Sequence, residues 1–152
     1  HGEAPFDIIC THSFFGLFAP SERPALVARW RALLMPGGLF ATVNRIRRDA
    51  PERERFSAGQ ADDFRARVRH EAASRPALHG IRQDELAALA DAYIAQNIIY
   101  PVRSEGELMA LMEEGGFTVD TLTVRSSPIV GRLTGPTMTG GAAYAQMAAT
   151  RR

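Results

Sequence analysis

The sequence contains very little cysteine and no long apolar segment. A single cysteine, Cys10, among 152 residues excludes an internal disulfide and a zinc site built from cysteine clusters. His70 and His79 lack metal-ligand spacing with acidic partners, so the sequence predicts no metal site. No apolar run approaches the ~20 residues of a membrane-spanning helix, and the first residues lack the basic-then-apolar order of a signal peptide. These features predict a cytoplasmic protein with no membrane partner.

An excess of charge of one sign is also lacking. The chain has 18 basic and 17 acidic residues and a net charge of +1, which argues against a dedicated nucleic-acid binder. All of the basic residues are arginine, and alanine is abundant. Such a composition often reflects a GC-rich genome, so no function is inferred from the arginine content. The length and the 45% apolar content predict one globular domain over residues 1–152.

The first 46 residues predict a strand, a helix and a second strand. Phe6 to Thr11 is typical of a strand that is covered on both faces. Ser21 is predicted to cap the following helix, and Pro24 is tolerated in its first turn. Pro36 is predicted to end this helix, and Gly37 and Gly38 are predicted to let the backbone reverse with positive φ. Leu39 to Ile46 then forms the second strand, so we expect a right-handed unit with parallel strands.

Residues 48–103 interrupt the alternation of strands and helices, and we interpret them as a helical insertion. Ser57 and Gln60 form a capping-box pattern. Two helices should follow it, with apolar faces at Ala61, Phe64, Val68 and Ala72, and at Leu86, Leu89, Ala90, Tyr93 and Ile94. Because the insertion follows the carboxyl end of a strand, we expect it to cap a pocket.

The last third of the chain predicts one helix and two strands. Ser104 and Glu107 form a second capping-box pattern at the start of the helix. Val119 to Arg125 and Tyr144 to Thr150 read as strands, separated by a loop rich in proline, glycine and threonine. Two consecutive strands after a helix favour an antiparallel hairpin that closes the sheet.

These motifs together resemble the C-terminal half of the class I S-adenosylmethionine-dependent methyltransferases. The motifs are FDIICTHSFF at residues 6–15, WRALLMPGG at residues 30–38 and LMALMEEGGF at residues 108–117. The resemblance implies a Rossmann-like α/β sheet whose last strand inserts antiparallel beside the fifth. It also implies S-adenosyl-L-methionine as the cofactor and methyl transfer to a small-molecule acceptor. The family's glycine-rich cofactor loop does not occur in this sequence, so a missing N-terminal half of the same fold is the expected partner.

Four residues at the end of the first strand are the candidate cofactor-binding residues, namely Cys10, Thr11, His12 and Ser13. In open parallel sheets ligands bind outside the carboxyl ends of the strands. The resemblance implies that this end flanks the methionine part of the cofactor. His12 is the candidate catalytic base, because a histidine pKa of about 6.5 suits deprotonation of an acceptor hydroxyl. A hydrogen-bonded structural histidine is the alternative, and for Cys10 a buried apolar role is favoured over a nucleophile.

The candidate substrate-binding residues are Phe14, Phe15, Asn44 and Arg45. The two phenylalanines either line a pocket or belong to the core. Asn44 and Arg45 lie at the carboxyl end of the second strand, on the ligand side of the sheet. Arg45 can hold an acidic acceptor by a bidentate contact, and a solvated arginine is the alternative.

Two other functions remain open at the level of the sequence. One is a non-catalytic binding or assembly module derived from half of a methyltransferase. Association of two copies into a homodimer is a separate expectation that the sequence leaves open. An upstream glycine-rich segment in the same polypeptide would favour the enzyme. Half of a hydrolase or dehydrogenase is less favoured, because the sequence has no nucleophile elbow.

Overall fold

The computed structural model describes residues 5–74, 80, 82–127 and 142–152 of the chain. Within these residues it contains four strands and four α-helices, so the fold is α/β. The elements are β1 (Phe6–His12), α1 (Arg23–Leu33), β2 (Leu34–Ile46), α2 (Ala58–Ser74), α3 (Gln83–Gln96), α4 (Glu105–Glu114), β3 (Phe117–Ser127) and β4 (Ala142–Arg151). None of the helices in the described part is both long enough and apolar enough to cross a bilayer.

The four strands form one sheet in the order β1-β2-β4-β3. β1 pairs in parallel with β2, and His12 lies opposite Val43. β4 lies antiparallel between β2 and β3. The predicted parallel unit and the antiparallel hairpin are therefore confirmed. The last strand enters between two others, which is the arrangement that the resemblance implied.

The Pro-Gly-Gly segment differs from its predicted role as a turn between helix and strand. α1 ends at Leu33 and β2 begins at once, so the segment is an irregularity inside β2, where the pairing with β1 shifts. Of the two glycines in this segment, only Gly37 has a positive φ, at 75°. Gly38 is needed for a different reason, because a Cβ there would lie 2.8 Å from the carbonyl oxygen of Met35. Close packing of the backbone, rather than a reversal, thus explains the second glycine.

Of the three predicted helix caps, one is confirmed, one is confirmed in part and one is wrong. The Ser57 hydroxyl accepts from the N–H of Gln60 at 3.3 Å, and the Gln60 side chain accepts from the N–H of Ser57 at 2.9 Å. The Ser104 hydroxyl accepts from the N–H of Glu107, but the Glu107 carboxylate accepts from the N–H of Arg103 instead of returning to Ser104. Ser21 caps nothing, because a short 3-10 turn precedes α1 and residue 22 takes the cap position.

Helices α1 and α4 cover one face of the sheet, which we call the covered face. Trp30 of α1 stacks on Phe40 of β2 with ring centroids 4.7 Å apart, and Phe15 meets Trp30 edge-on at 5.2 Å. Leu108 and Met112 of α4 join the same core. Burial along β2 alternates from residue to residue beyond Gly38, so one face of the strand is buried and the other is not.

The prediction that β1 is covered on both faces is wrong for the described structure. β1 is an edge strand, and side chains along it are exposed, with Phe6 at 49% and Ile8 at 51%. Exposed apolar side chains in a parallel strand are unusual, because parallel sheets are normally covered on both faces. Among the described residues the outer edge of β1 has no neighbouring strand, and it presents exposed apolar side chains as well.

The described part of the chain divides into two compact units. One comprises residues 5–52, 100–127 and 142–152 and contains the sheet. The other comprises residues 53–74, 80 and 82–99, which lie within the predicted insertion at 48–103. In this second unit α2 packs on α3 through Phe64 and Tyr93, whose rings stack at 5.2 Å, and Phe56 contacts both rings. Arg65 of α2 also pairs with Asp91 of α3 at 2.6 Å.

Candidate functional site

The candidate site lies on the face of the sheet opposite to the covered face, which we call the open face. Strand register places side chains there in three rows that run across the sheet. None of the residues in these rows is buried. The rows are Cys10–Ala41–Ala148–Thr121, then His12–Val43–Gln146–Thr123, then Arg45–Tyr144–Arg125.

His12 and Arg45 are brought together on the open face at the carboxyl ends of β1 and β2. His12 lies opposite Val43, and Arg45 is two residues further along on the same face. Strand geometry then puts their Cα atoms about 8 Å apart. The His12 side chain is exposed and forms no hydrogen bond or ion pair with another described residue, so its ring nitrogens are accessible to a ligand.

Thr11 and Asn44 point the other way, onto the covered face. The Thr11 hydroxyl donates to the Thr42 hydroxyl at 2.8 Å, and the Asn44 amide donates to the same oxygen at 2.7 Å. Asn44 is only 1% exposed. The structure therefore uses these polar groups to satisfy one another inside the core. Because neighbouring strand residues alternate between faces, Asn44 does not lie beside Arg45.

The segment that follows β1 turns sharply at Ser13. Ser13 has a φ of 50°, which is uncommon for a residue with a side chain, and its N–H donates to the carbonyl of Val43 at 2.6 Å. Phe14 remains 36% exposed, whereas Phe15 is fully buried against Trp30 and Phe40. Phe15 is therefore a core residue, which is the alternative that the sequence left open for it.

Cys10 is exposed on the open face, so its interpretation as a buried apolar residue is wrong. The reason is the edge position of β1, which leaves its side chains on this face uncovered. Cys10 borders an open concavity of about 410 Å³. The concavity is lined on the open face by Cys10, Ala41, Val43, Thr121, Thr123, Gln146 and Ala148. The concavity is open to solvent, and it adjoins the row that contains Arg45.

Arg23 holds together the loops near the carboxyl ends of β1 and β2. The sequence did not indicate this role. Its guanidinium is buried and pairs with Glu107 of α4, while it also donates to the carbonyls of Phe18 and Tyr100. Burial lowers the pKa of Arg23, and the nearby Glu107 carboxylate opposes that shift. Tyr100 in turn donates its N–H to the carbonyl of Gly16 at 2.8 Å. One arginine thus ties the segment after β1 to the segment that leads into α4.

Tyr144 and Arg125 were also missed, because the hairpin register that aligns them with Arg45 is not visible in the sequence. The alternation in both terminal strands was the available signal, but it needed the pairing to become useful. For metals, the described residues contain no group of three or more histidine, cysteine or acidic side chains that could hold an ion.

Comparisons with known proteins bear on the fold. No protein-family model matches the chain, and no curated protein is significantly similar to it. A solved structure of an S-adenosylmethionine-dependent methyltransferase from Methanosarcina mazei superposes with a TM-score of 0.52 at 16% identity over 96% of this chain. The chain has a class I methyltransferase-like fold. A second structure with this fold, a protein from Bacillus halodurans that is provisionally assigned as a methyltransferase, gives a TM-score of 0.52 at 11% identity over 97% of the chain.

The chain spans only part of each methyltransferase-like structure that it matches. It covers 59% of the Methanosarcina protein and 64% of the Bacillus protein. Open parallel sheets bind ligands at the carboxyl ends of their strands. In the described sheet, β1 and β2 are the parallel strands whose carboxyl ends form this edge. His12 and Arg45 lie at that edge.

Proposed function

We propose that this chain takes part in methyl transfer from S-adenosylmethionine to a small-molecule acceptor, and that it supplies the acceptor side and part of the cofactor site. The observation that carries the proposal is the placement of His12 and Arg45 on one face, at the carboxyl edge of two parallel strands of a methyltransferase-like fold. This edge is the common ligand position of such sheets. The rest of the fold, in particular the glycine-rich cofactor loop, would come from polypeptide outside these residues.

The chemistry of His12 and Ser13 fits the methionine end of the cofactor. The imidazole nitrogens and the hydroxyl oxygen are polar atoms that can contact a sulfonium cation. S-adenosylmethionine supplies an electrophilic methyl group when it is bound. Thr11 contributes no free hydroxyl proton, because it donates to Thr42.

In this proposal the residues of the chain bind the acceptor, orient it and remove its proton. The exposed imidazole of His12 accepts the proton of an acceptor hydroxyl or amine at a ring nitrogen. Arg45 holds the acceptor through a charge-assisted contact. Orientation of the nucleophile contributes much of the rate, since a sulfonium is already a good leaving group.

The test is methyl transfer from S-adenosylmethionine with a labelled methyl group, using the longest natural polypeptide that contains these 152 residues. Mass spectrometry of ligands that co-purify with it supplies candidate acceptors. We expect label in a low-molecular-weight product. Label in protein or nucleic acid would contradict the small-molecule acceptor, and no transfer to any fraction would contradict the activity.

A non-catalytic assembly module is the second candidate, favoured by the exposed apolar edge at Phe6 and Ile8. Such an edge can pair with a strand from another polypeptide. The two candidates are separated by the same experiment, because a module would associate with its partner without transferring label. Size-exclusion chromatography of the 152-residue chain also tests whether the edge brings two copies together as a homodimer.

A further inference from the structure

We propose that Arg45, Tyr144 and Arg125 form a binding row for an oxyanion, so that the acceptor is a small molecule with a carboxylate or phosphate group. The proposal rests on the proposed function and adds the chemical class of the substrate. Arg45 of β2 and Arg125 of β3 each lie directly opposite Tyr144 of β4. Residues that are directly opposite in an antiparallel pair share a face, so all three side chains project from the open face.

The dimensions of the row suit one acidic group. Two strand spacings separate Arg45 from Arg125, which places their Cα atoms about 10 Å apart with the tyrosine between them. Arginine side chains can reach across half of that distance. A carboxylate or phosphate above Tyr144 would therefore accept from both guanidinium groups and from the phenol hydroxyl.

Binding of the oxyanion would depend most on Arg125. Its side chain is exposed, whereas Arg45 already has an interaction within the chain. The strands around the row carry little negative charge. Asp120 is the single acidic residue of β2, β3 and β4, and it accepts a hydrogen bond from the Thr150 hydroxyl at 2.7 Å. Thr150 is six residues from Tyr144 along β4, which is about 20 Å.

An open concavity lies next to the row on the open face. Its walls are mainly alanine, valine and threonine side chains, and its volume is about 410 Å³. Val43 lines it and is two residues from Arg45, while Gln146 lines it and is two residues from Tyr144. His12 lies opposite Val43, so the candidate base is next to the concavity. An acidic group held at the row would therefore place the rest of the molecule near His12.

Binding of simple probes to the 152-residue chain tests the row without any need for catalysis. Benzoate and phenyl phosphate supply the two oxyanions on an apolar ring, and benzamide is a neutral molecule of nearly the same shape as benzoate. In amide chemical-shift titrations we expect both anions to shift the resonances of residues 45, 125 and 144. Benzamide should bind at least about tenfold more weakly than benzoate, because it lacks the charge that the arginines recognise. The stronger of the two anions identifies the acidic group.

Three variants locate the effect. Arg125→Gln and Tyr144→Phe should weaken binding of the better anion, the former by about tenfold. Arg29→Gln removes the same charge from the exposed surface of α1 and should leave binding unchanged. Thermal unfolding of each variant monitors the fold, and the comparison of benzoate with benzamide on the native chain needs no variant.

The outcomes separate this inference from the proposed function. Equal affinity for benzoate and benzamide, or no effect of Arg125→Gln, would overturn the row. Tighter binding of a short random oligonucleotide than of either anion would overturn the assignment to a small molecule. Anion binding at the row in a protein that transfers no methyl group would contradict the proposed function and leave the oxyanion site in place. Methyl transfer that is unaffected by Arg125→Gln and by free benzoate would support the proposed function and overturn the oxyanion site.

Discussion

Arg23 of α1 and Glu107 of α4 form an ion pair although they lie 84 positions apart in the chain. The arginine side chain is only 2% exposed, and it also donates to the carbonyls of Phe18 and Tyr100. One guanidinium therefore satisfies a carboxylate and two backbone oxygens from three separate segments. These segments border the carboxyl edge of the sheet, so the pair helps to hold the candidate site in shape.

Replacement of Arg23 by methionine should destabilise the fold by about 3 kcal/mol, because it leaves the Glu107 carboxylate and two carbonyls without their buried donor. Urea unfolding followed by circular dichroism at pH 7 measures the change. Arg29→Met on the exposed side of the same helix is the matched control and should cost less than about 0.5 kcal/mol. Equal losses for the two variants would show that the buried contacts are not the cause.

Glu105 at the start of α4 should make stability depend on pH. The backbone N–H at the helix start, and then the Arg48 guanidinium, hold the pKa of Glu105 below its ordinary value of 4.5. A depressed pKa means that the carboxylate stabilises the folded state above pH 4.5 and that this contribution is lost as the pH falls through the folded value.

Glu105→Gln should accordingly lower the unfolding free energy slightly at pH 7, and the difference from the native chain should shrink in acid. Because the Arg48 side chain is mostly exposed and Glu105 is partly exposed, solvent screens their interaction and the effect is small. Glu113→Gln near the other end of α4 is the control, since a negative charge there does not stabilise the helix dipole. A difference for Glu105→Gln that grows as the pH falls would contradict the assignment.

The 152-residue chain alone should bind S-adenosylmethionine weakly or not at all. The sequence holds no glycine-rich loop whose backbone N–H groups could receive the cofactor's carboxylate. The edge of β1 is also unpaired by the described residues, so one side of the expected site is open. Isothermal titration calorimetry measures the affinity. A micromolar dissociation constant would mean that the cofactor site lies elsewhere in these residues.

His12→Ala should lower turnover by about 10²-fold in any polypeptide that contains this chain and transfers methyl groups, while cofactor affinity changes little. His12→Gln should lose turnover to the same extent, because glutamine can form hydrogen bonds but cannot take up the acceptor's proton. His70→Ala on α2 removes an exposed histidine far along the chain from the site residues and serves as the control. Unchanged turnover in His12→Ala, or native turnover in His12→Gln, would make His12 structural.

Much of the fold of the sheet-containing unit could be predicted because its elements carry local signals. The apolar run of β1, the helical spacing around Trp30 and the alternation in β4 each reflect the period of one element. The cap at Ser57 was predictable for the same reason, since both partners lie within one turn. The Glu107 carboxylate does not complete the predicted capping box, because it pairs with Arg23, which is distant in the chain.

The candidate site was predictable only in part. The sequence alone determined that His12 and Arg45 end two parallel strands, because strand ends and crossover direction follow from local pattern and chirality. Tertiary structure decided that Asn44 is buried beside Thr42, that Cys10 is exposed, and that Tyr144 and Arg125 stand in register with Arg45. Those outcomes depend on which face the helices cover and on how distant strands pair, and both are set by the packing of residues that are far apart in the chain.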